Sequence, residues 1–427
     1  MKVQYISSAC LQIETSDISI LTDPWFSQGI FVGSWFSFPY IDPFDFIKEP
    51  DYIYISHIHP DHYDPIFLHK LFEKFGKKPI LIPDFDKNYL FFKGKSDGLE
   101  LTPVREFKTG NTSLFIEEND TGSISDIDSA LIVHDGLSNQ SLLNLNDCIF
   151  NKPHAEKVKS IIHNLTDELD IMALGYTGAS PYPQTYYDMK SEKELLIRKA
   201  EEKKQKGFDR YNSFTNFFSA KYHLPFAGEY LLGGSKVELN RFRGVADAFE
   251  VKAFDSKALV FHSGGGIDLD SGHVSSERDA AYSATEVSDR LNEISLAQMD
   301  YERDLLIDFN NINFARIMKA AAANAQKKSE IKGEYSFIFS ITENDAIRKK
   351  FIFICSTGEL NEISDNEKIS TETFSEIIID YRLLFGLITG IYHWDNADIG
   401  SAYLTRREPS DNFDRSVLGF LNFFTAI

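Results

Sequence analysis

Residues 51–62 read Asp51-Tyr52-Ile53-Tyr54-Ile55-Ser56-His57-Ile58-His59-Pro60-Asp61-His62. The alternating aromatic and β-branched residues of 51–56 predict a short strand that ends at Ser56. The next six positions hold three imidazoles and a carboxylate, just past the C-terminal end of that strand, where α/β proteins place their sites. Imidazole nitrogen and carboxylate oxygen are the usual ligands of a borderline divalent metal, and two histidines at alternate positions in an extended loop can turn their rings to one side. A solvated polar loop accounts for a single histidine there, but poorly for four candidate ligands in six residues. A metal held in this loop would lower the pKa of a bound water from about 15.7 towards neutrality and so supply hydroxide at ordinary pH.

The surrounding pattern is of mixed type. Residues 3–14 and 18–22 predict two strands of a hairpin with Ser16-Asp17 as its turn, and the second strand runs into Thr22-Asp23-Pro24-Trp25. After the histidine loop, 65–75 predicts a helix closed by Gly76, and 79–82 a strand. Further strands are expected at 114–117, 129–133, 141–145, 170–174, 222–225 and 258–262. The spacing Ser191-x-x-Glu194 predicts a capping box opening a charged surface helix to about 206. Beyond Gly272, Ser276-x-x-Asp279 predicts the start of long helices reaching about 328. Strands at 334–342 and 350–355 and a helix at 373–389 follow. A boundary is therefore expected near 272–276, with a catalytic domain over 1–275 and an accessory domain over 276–427.

His57, His59, Asp61 and His62 match the HxHxDH hallmark, and the chain here resembles the metallo-β-lactamase-fold superfamily. The segment 21–25 resembles the branch containing N-acylphosphatidylethanolamine phospholipase D and UlaG-type lactonases. DIDSAL and LLNLND within 126–147, with GASPYP and PFAG, resemble the hydrolase-like part of CMP-N-acetylneuraminate hydroxylase. The resemblance covers about 1–270 and implies an α/β fold, an αββα sandwich, followed by a C-terminal α+β module. It also implies that His57 and His59 bind one metal, that Asp61 and His62 bind a second, and that Asp147 bridges them. The family has a further histidine between the central strands; here that stretch has none, and Asp126 or Asp128 is the candidate replacement. For the last family histidine the candidates are His223 and His262. Asp61 and Asp147 are the expected catalytic groups. The module after 276 weakly resembles the sterol-carrier-like domains appended to some sulfatases of this fold, with Trp394, Asn396 and Arg406 its conspicuous residues.

Other features invite a structural reading as readily as a functional one. Asp23 serves either as a turn residue beside Pro24 or as a partner behind the metal ligands. His134 reads as an edge residue, Gly264-Gly265-Gly266 as a tight turn, and the loop 175–187 as a pocket wall or a sheet-edge cover.

Among 427 residues, 64 acidic side chains outnumber 44 basic ones, giving a net charge of −20. That argues against nucleic-acid phosphates or an anionic membrane as bulk partner. Cys10, Cys148 and Cys355 stand far apart, which fits a reducing compartment. The N-terminus lacks the apolar core of a secretion signal, and no stretch approaches the roughly 20 apolar residues of a transmembrane segment. A cytoplasmic location is the expectation.

Three functions compete. The first is a metal-dependent hydrolase attacking an ester, lactone or phosphodiester, with zinc as the divalent metal. The second is an iron-dependent oxygenase resembling CMP-N-acetylneuraminate hydroxylase, because a carboxylate-rich shell favours iron or manganese. It would need an external electron donor, since the two-Cys, two-His spacing of that family's electron relay does not occur. The third is a metal-free binding subunit. The expected partner is a small-molecule substrate, nucleotide-sugar or lipid-like, and homo-oligomer formation is left open.

Overall fold

A computed structural model describes residues 1–121, 127–329, 331, 335–364, 372–410 and 415–427. Among the described residues, the N-terminal part of the chain builds two mixed sheets packed face to face. In the first, spatial order runs His273–Glu277, Phe261–Asp268, Lys2–Ser7, Cys10–Glu14, Ser19–Thr22, Tyr52–Tyr54, Ile80–Pro83 and Leu101–Val104. Its last four strands are parallel. In the second sheet the order is Ala220–Phe226, Leu169–Gly175, Gln140–Asn144, Ser129–Asp135, Thr112–Glu118 and Glu106–Thr109, and its first three strands are parallel.

Strand alternation divides the apolar side chains into layers. From Ser129–Asp135, Leu131 and Val133 enter the core between the sheets, with Leu11, Ile20, Leu114 and Leu142. Ala130 and Ile132 point the other way, onto the helices Lys152–Leu165 and Lys193–Phe217 through Val158, Ile162 and Phe214. On the far side of the first sheet, Ile53 and Ile80 pack against Phe67, Leu68 and Leu71 of the helix Pro65–Phe75. The result is the αββα sandwich.

The C-terminal part has its own five-stranded sheet, in the order Glu359–Ile363, Ala346–Ile354, Ser336–Glu343, Phe374–Asp380 and Leu404–Glu408. It packs on the helix Phe314–Lys328 around Phe337, Phe339, Trp394 and Phe424.

Several expected elements differ in the structure, each for a local reason. Residues 3–14 are two strands, because the chain reverses at Ser8-Ala9, with Ser8 at φ 48° and Ser7 paired to Cys10. Ser191 forms no capping box: its backbone N–H and hydroxyl both donate to Asp188, and the helix runs from Lys193 to Phe217. Ser276 lies in an edge strand, and the capping box after it is Ser283 with Glu286. Residues 374–380 are strand rather than helix, as the β-branched run Ile377-Ile378-Ile379 favours. The helix begins only at Tyr381, capped by Asp380. Gly264-Gly265-Gly266 lies within a strand, where a Cβ on Gly266 would sit 2.2 Å from the carbonyl oxygen of Val3. The loop 175–187 covers a sheet edge, with the Thr405 N–H donating to the carbonyl of Thr185.

Leu131 is fully buried between the sheets, whereas Leu137 is 71% exposed. Leu131→Ala should lose about 2–5 kcal/mol of stability, and Leu137→Ala should stay within roughly 0.5 kcal/mol of wild type. Urea unfolding of the two variants checks the pair.

Candidate metal centre

The parallel strands of both sheets end at one shared edge. Ser19–Thr22 leads into Asp23, Tyr52–Tyr54 leads into the histidine loop, and Gln140–Asn144 leads into Asp147. The Asp23 N–H donates to the carbonyl of Tyr54, and Asp23 Oδ1 accepts from the Ser56 N–H at 2.7 Å. Between the sheets, the Ser129 hydroxyl donates to the carbonyl of Ser56 at 2.9 Å and lies 2.8 Å from Tyr54 OH. Asp64 caps the helix Pro65–Phe75 and also accepts from the Phe26 and Ser27 N–H groups, so the loop is held at both ends.

This scaffold gathers most of the expected ligands. One donor atom each from His57, His62 and Asp147 lie within 4.8 Å of one another. His62 Nε2 is 3.7 Å from both Asp61 Oδ2 and Asp147 Oδ2. His57 Nε2 is 2.9 Å from His59 Nδ1 and 3.6 Å from Asp128 Oδ1. Asp126 lies outside the described residues. Behind the rings, Asp23 Oδ2 is 3.1 Å from His62 Nδ1, and Ser56 Oγ is 2.9 Å from His57 Nδ1. Asp23 thus stands behind His62, and its role extends beyond the turn at Pro24.

His223 stands apart from this cluster. Leu224 and Phe226 face the core between the sheets, so strand alternation turns His223 outward to the helix layer. There its Nδ1 lies 2.7 Å from Asp255 Oδ2, which also accepts from Tyr211 OH at 2.6 Å. His262 is exposed at the surface. Two residues unforeseen in the sequence do reach the site. The Asp395 carboxylate lies 3.3 Å from His59 Nε2. Arg210, whose guanidinium donates to the carbonyl of Thr177, acts by its charge on Asp128 and Asp147. No local motif marks either one, because both come from helices distant in sequence.

The electrostatics show what the donor set lacks. Burial, reinforced by the charge of Asp147, pushes the Asp128 carboxyl up to about 6. Burial also raises Asp61. For Asp147, burial acts upwards, but the His62 charge and hydrogen bond outweigh it and hold the group low. His57 is driven well below its usual value by burial and then by the neighbouring imidazoles. Burial opposes protonation of His62, yet Asp61, Asp147 and Asp23 raise it. Carboxylates and imidazoles are confined together with little basic side-chain charge, an arrangement that a divalent cation would balance. The residues therefore fit a metal.

Two packed mixed sheets with helices outside, and a His/Asp cluster at their common edge, define a metallo-β-lactamase-type sandwich with a candidate metal site. Residues 2–136 match the Beta-lactamase superfamily domain. The chain is 29% identical over 238 residues to a Mycolicibacterium smegmatis protein provisionally named a Rieske 2Fe-2S iron-sulfur protein, covering 53% of this chain and 43% of that one. It is 25% identical over 234 residues to the cytidine monophosphate-N-acetylneuraminic acid hydroxylase of Danio rerio, covering 53% and 38%. The chain thus spans less than half the length of these relatives. Among solved structures, a variant of CmlA beta-hydroxylase matches with a TM-score of 0.40 at 15% identity, covering 61% of this chain and 52% of that one. Among the described residues, no helix is long and apolar enough to cross a membrane.

Because Asp128 titrates near 6 in the folded protein, against an ordinary value of 3.8, the folded state binds more protons than the unfolded one between those values. Its contribution to stability is therefore present at low pH and lost as the pH rises through about 6. Asp128→Asn should raise the melting temperature of metal-free protein at pH 7–8, and the gain should vanish towards pH 4. Calorimetry across that range checks this.

Proposed function

We propose that the chain is a metal-dependent oxygenase acting on a small molecule, with iron held by His57, His59, Asp61, His62, Asp128 and Asp147. One observation carries this reading: Asp61, Asp128 and Asp147 meet three imidazoles in one cluster. Three carboxylates to three imidazoles make a harder donor set than an imidazole-richer one, which shifts preference from zinc towards iron or manganese. The hydroxylase and Rieske names among the relatives support the same chemistry. Bound iron would supply oxygen activation. The chain's own residues do the rest: Asp147 spans the two halves of the donor set, and Asp61 takes up and returns a proton at its carboxylate beside His62.

Hydroxylation by oxygen places one oxygen atom in the substrate and releases the other as water, which requires two electrons and two protons. Cys10, Cys148 and Cys355 are all buried and separate, so a ferredoxin-like donor is assigned to deliver the electrons. Residues 1–275 carry the chemistry and 276–427 form an accessory domain.

A second reading, hydrolysis of an ester, lactone or phosphodiester, is favoured by the two carboxylates 3.7 Å from His62 Nε2. Asp61 or Asp147 would then orient a water and accept its proton.

Metal analysis of protein purified without added metal separates these readings. We expect one to two equivalents of iron, oxygen uptake that depends on a chemical reductant, and at least a tenfold loss of metal in His57→Ala. Zinc together with ester or phosphodiester cleavage under anaerobic conditions would establish the second reading in its place. Protein that takes up neither metal would leave a binding subunit.

A further inference from the structure

We propose that Asp395 is the positioning residue for His59, so that the C-terminal part of the chain completes the metal centre; this rests on the metal-centre reading above. The basis is the 3.3 Å approach of Asp395 Oδ2 to His59 Nε2. An ionised carboxylate can only accept a hydrogen bond. The hydrogen of a neutral His59 ring therefore sits on Nε2, and Nδ1 keeps its lone pair. Nδ1 is the atom that faces the cluster, 2.9 Å from His57 Nε2.

The other two rings also have a partner on the outer nitrogen. His57 and His62 each have Nδ1 held from behind, by Ser56 and Asp23, and each turns Nε2 towards the cluster. A partner on the outer nitrogen sets both tautomer and ring orientation. Ser56 and Asp23 follow the ends of the strands that carry the site. Asp395 alone arrives from the other part of the chain, 336 residues from His59.

Asp395 is also fixed in place. It sits on the helix Trp394–Ile399 next to Trp394, whose buried indole donates to the carbonyl of Phe424 at 3.0 Å and packs against Tyr403. The C-terminal end of this helix is clamped to the segment 29–35. The Trp35 indole donates to the carbonyl of Ile399 at 3.3 Å, and a Cβ on Gly400 would lie 2.4 Å from the carbonyl oxygen of Phe31. Phe31 and Val32 hold φ values of 53° and 58°, a conformation that a β-branched residue keeps only when its surroundings impose it. From that segment the Phe31 ring stands 6.4 Å from the His59 ring. The helix therefore reaches His59 twice, directly through Asp395 and indirectly through Phe31.

The test uses the full chain and the metals alone, Zn2+ and anaerobic Fe2+, with affinity read by chelator competition. Asp395→Ala should bind about 10–100-fold more weakly, and Asp395→Asn, whose amide oxygen can still accept, should lose less. In a His59→Ala background, Asp395→Ala should add little further loss. The melting temperature of metal-free Asp395→Ala should match wild type, since this side chain is 38% exposed. Nitrogen NMR of the metal-free protein, taken at alkaline pH where the ring is neutral, should show the Nε2–H tautomer of His59 giving way to a mixture in Asp395→Ala. Wild-type affinity in Asp395→Ala, or a loss fully additive with His59→Ala, overturns the proposal. If wild type itself binds neither metal, the metal-centre reading has failed, and an unaltered His59 tautomer in Asp395→Ala then overturns the positioning role as well.

Discussion

Like charges crowded into a cleft repel, and the shared edge of the two sheets gathers Asp23, Asp61, Asp128 and Asp147 around three imidazoles. A buried carboxylate is tolerated when it is hydrogen-bonded or paired with positive charge. Asp23 meets that condition through the Ser56 N–H and His62. Asp61 and Asp128 do not meet it fully, and burial raises both. The arrangement persists because the scaffold around it is over-determined: neighbouring strands, inter-sheet hydroxyl bonds and the Asp64 cap hold the loop from several directions. Stability spent in this way is what a protein gives up to keep a site preorganised.

Topology explains why these residues meet. Parallel strands deliver their C-terminal ends to one side, and here two sheets do so facing each other. The histidine loop leaves the first sheet where Asp147 leaves the second. Asn146, at φ 46° and with its amide donating to the carbonyl of Ser129 at 3.2 Å, turns the chain so that the next residue enters the cleft. A one-residue register slip in either strand would carry the donor to the wrong face. The fully buried inter-sheet side chains Leu131, Leu142 and Ile171 oppose such a slip.

The local part of the site was legible in the sequence because its donors are contiguous: His57, His59, Asp61 and His62 announce themselves within six residues. Asp128 and Asp147 were legible through the resemblance of the strands beside them. His223 was misplaced because a histidine in an apolar strand gives no sign of which face it takes. That face is decided by the parity of Leu224 and Phe226 against a core that only the packed sheets define. Asp395 was illegible for a different reason: its partner is 336 positions away, and a lone aspartate after a tryptophan at a helix start has the look of ordinary surface chemistry. The strand Phe374–Asp380, where the sequence predicts helix, has a third cause, since a short apolar run satisfies helix and strand periodicities alike until a partner strand pairs with it.

The site therefore has two origins in the chain. The sandwich supplies the cluster itself, and the C-terminal part supplies one carboxylate and the clamp on segment 29–35. An isolated sandwich could assemble His57, His62 and Asp147, since their supports all lie within it, but it would leave the outer nitrogen of His59 to water. Water can donate to or accept from that nitrogen and so selects neither tautomer, whereas an ionised carboxylate selects one. The C-terminal part thus bears on the electronic character of the centre as well as on its shape, because a ring held by a carboxylate is a more basic ligand than one held by solvent. This also gives a reason for the left-handed backbone at Phe31 and Val32. The conformation lets one short segment touch both the Asp395 helix and the His59 ring, and so binds the two parts of the chain at the point where the chemistry is assembled.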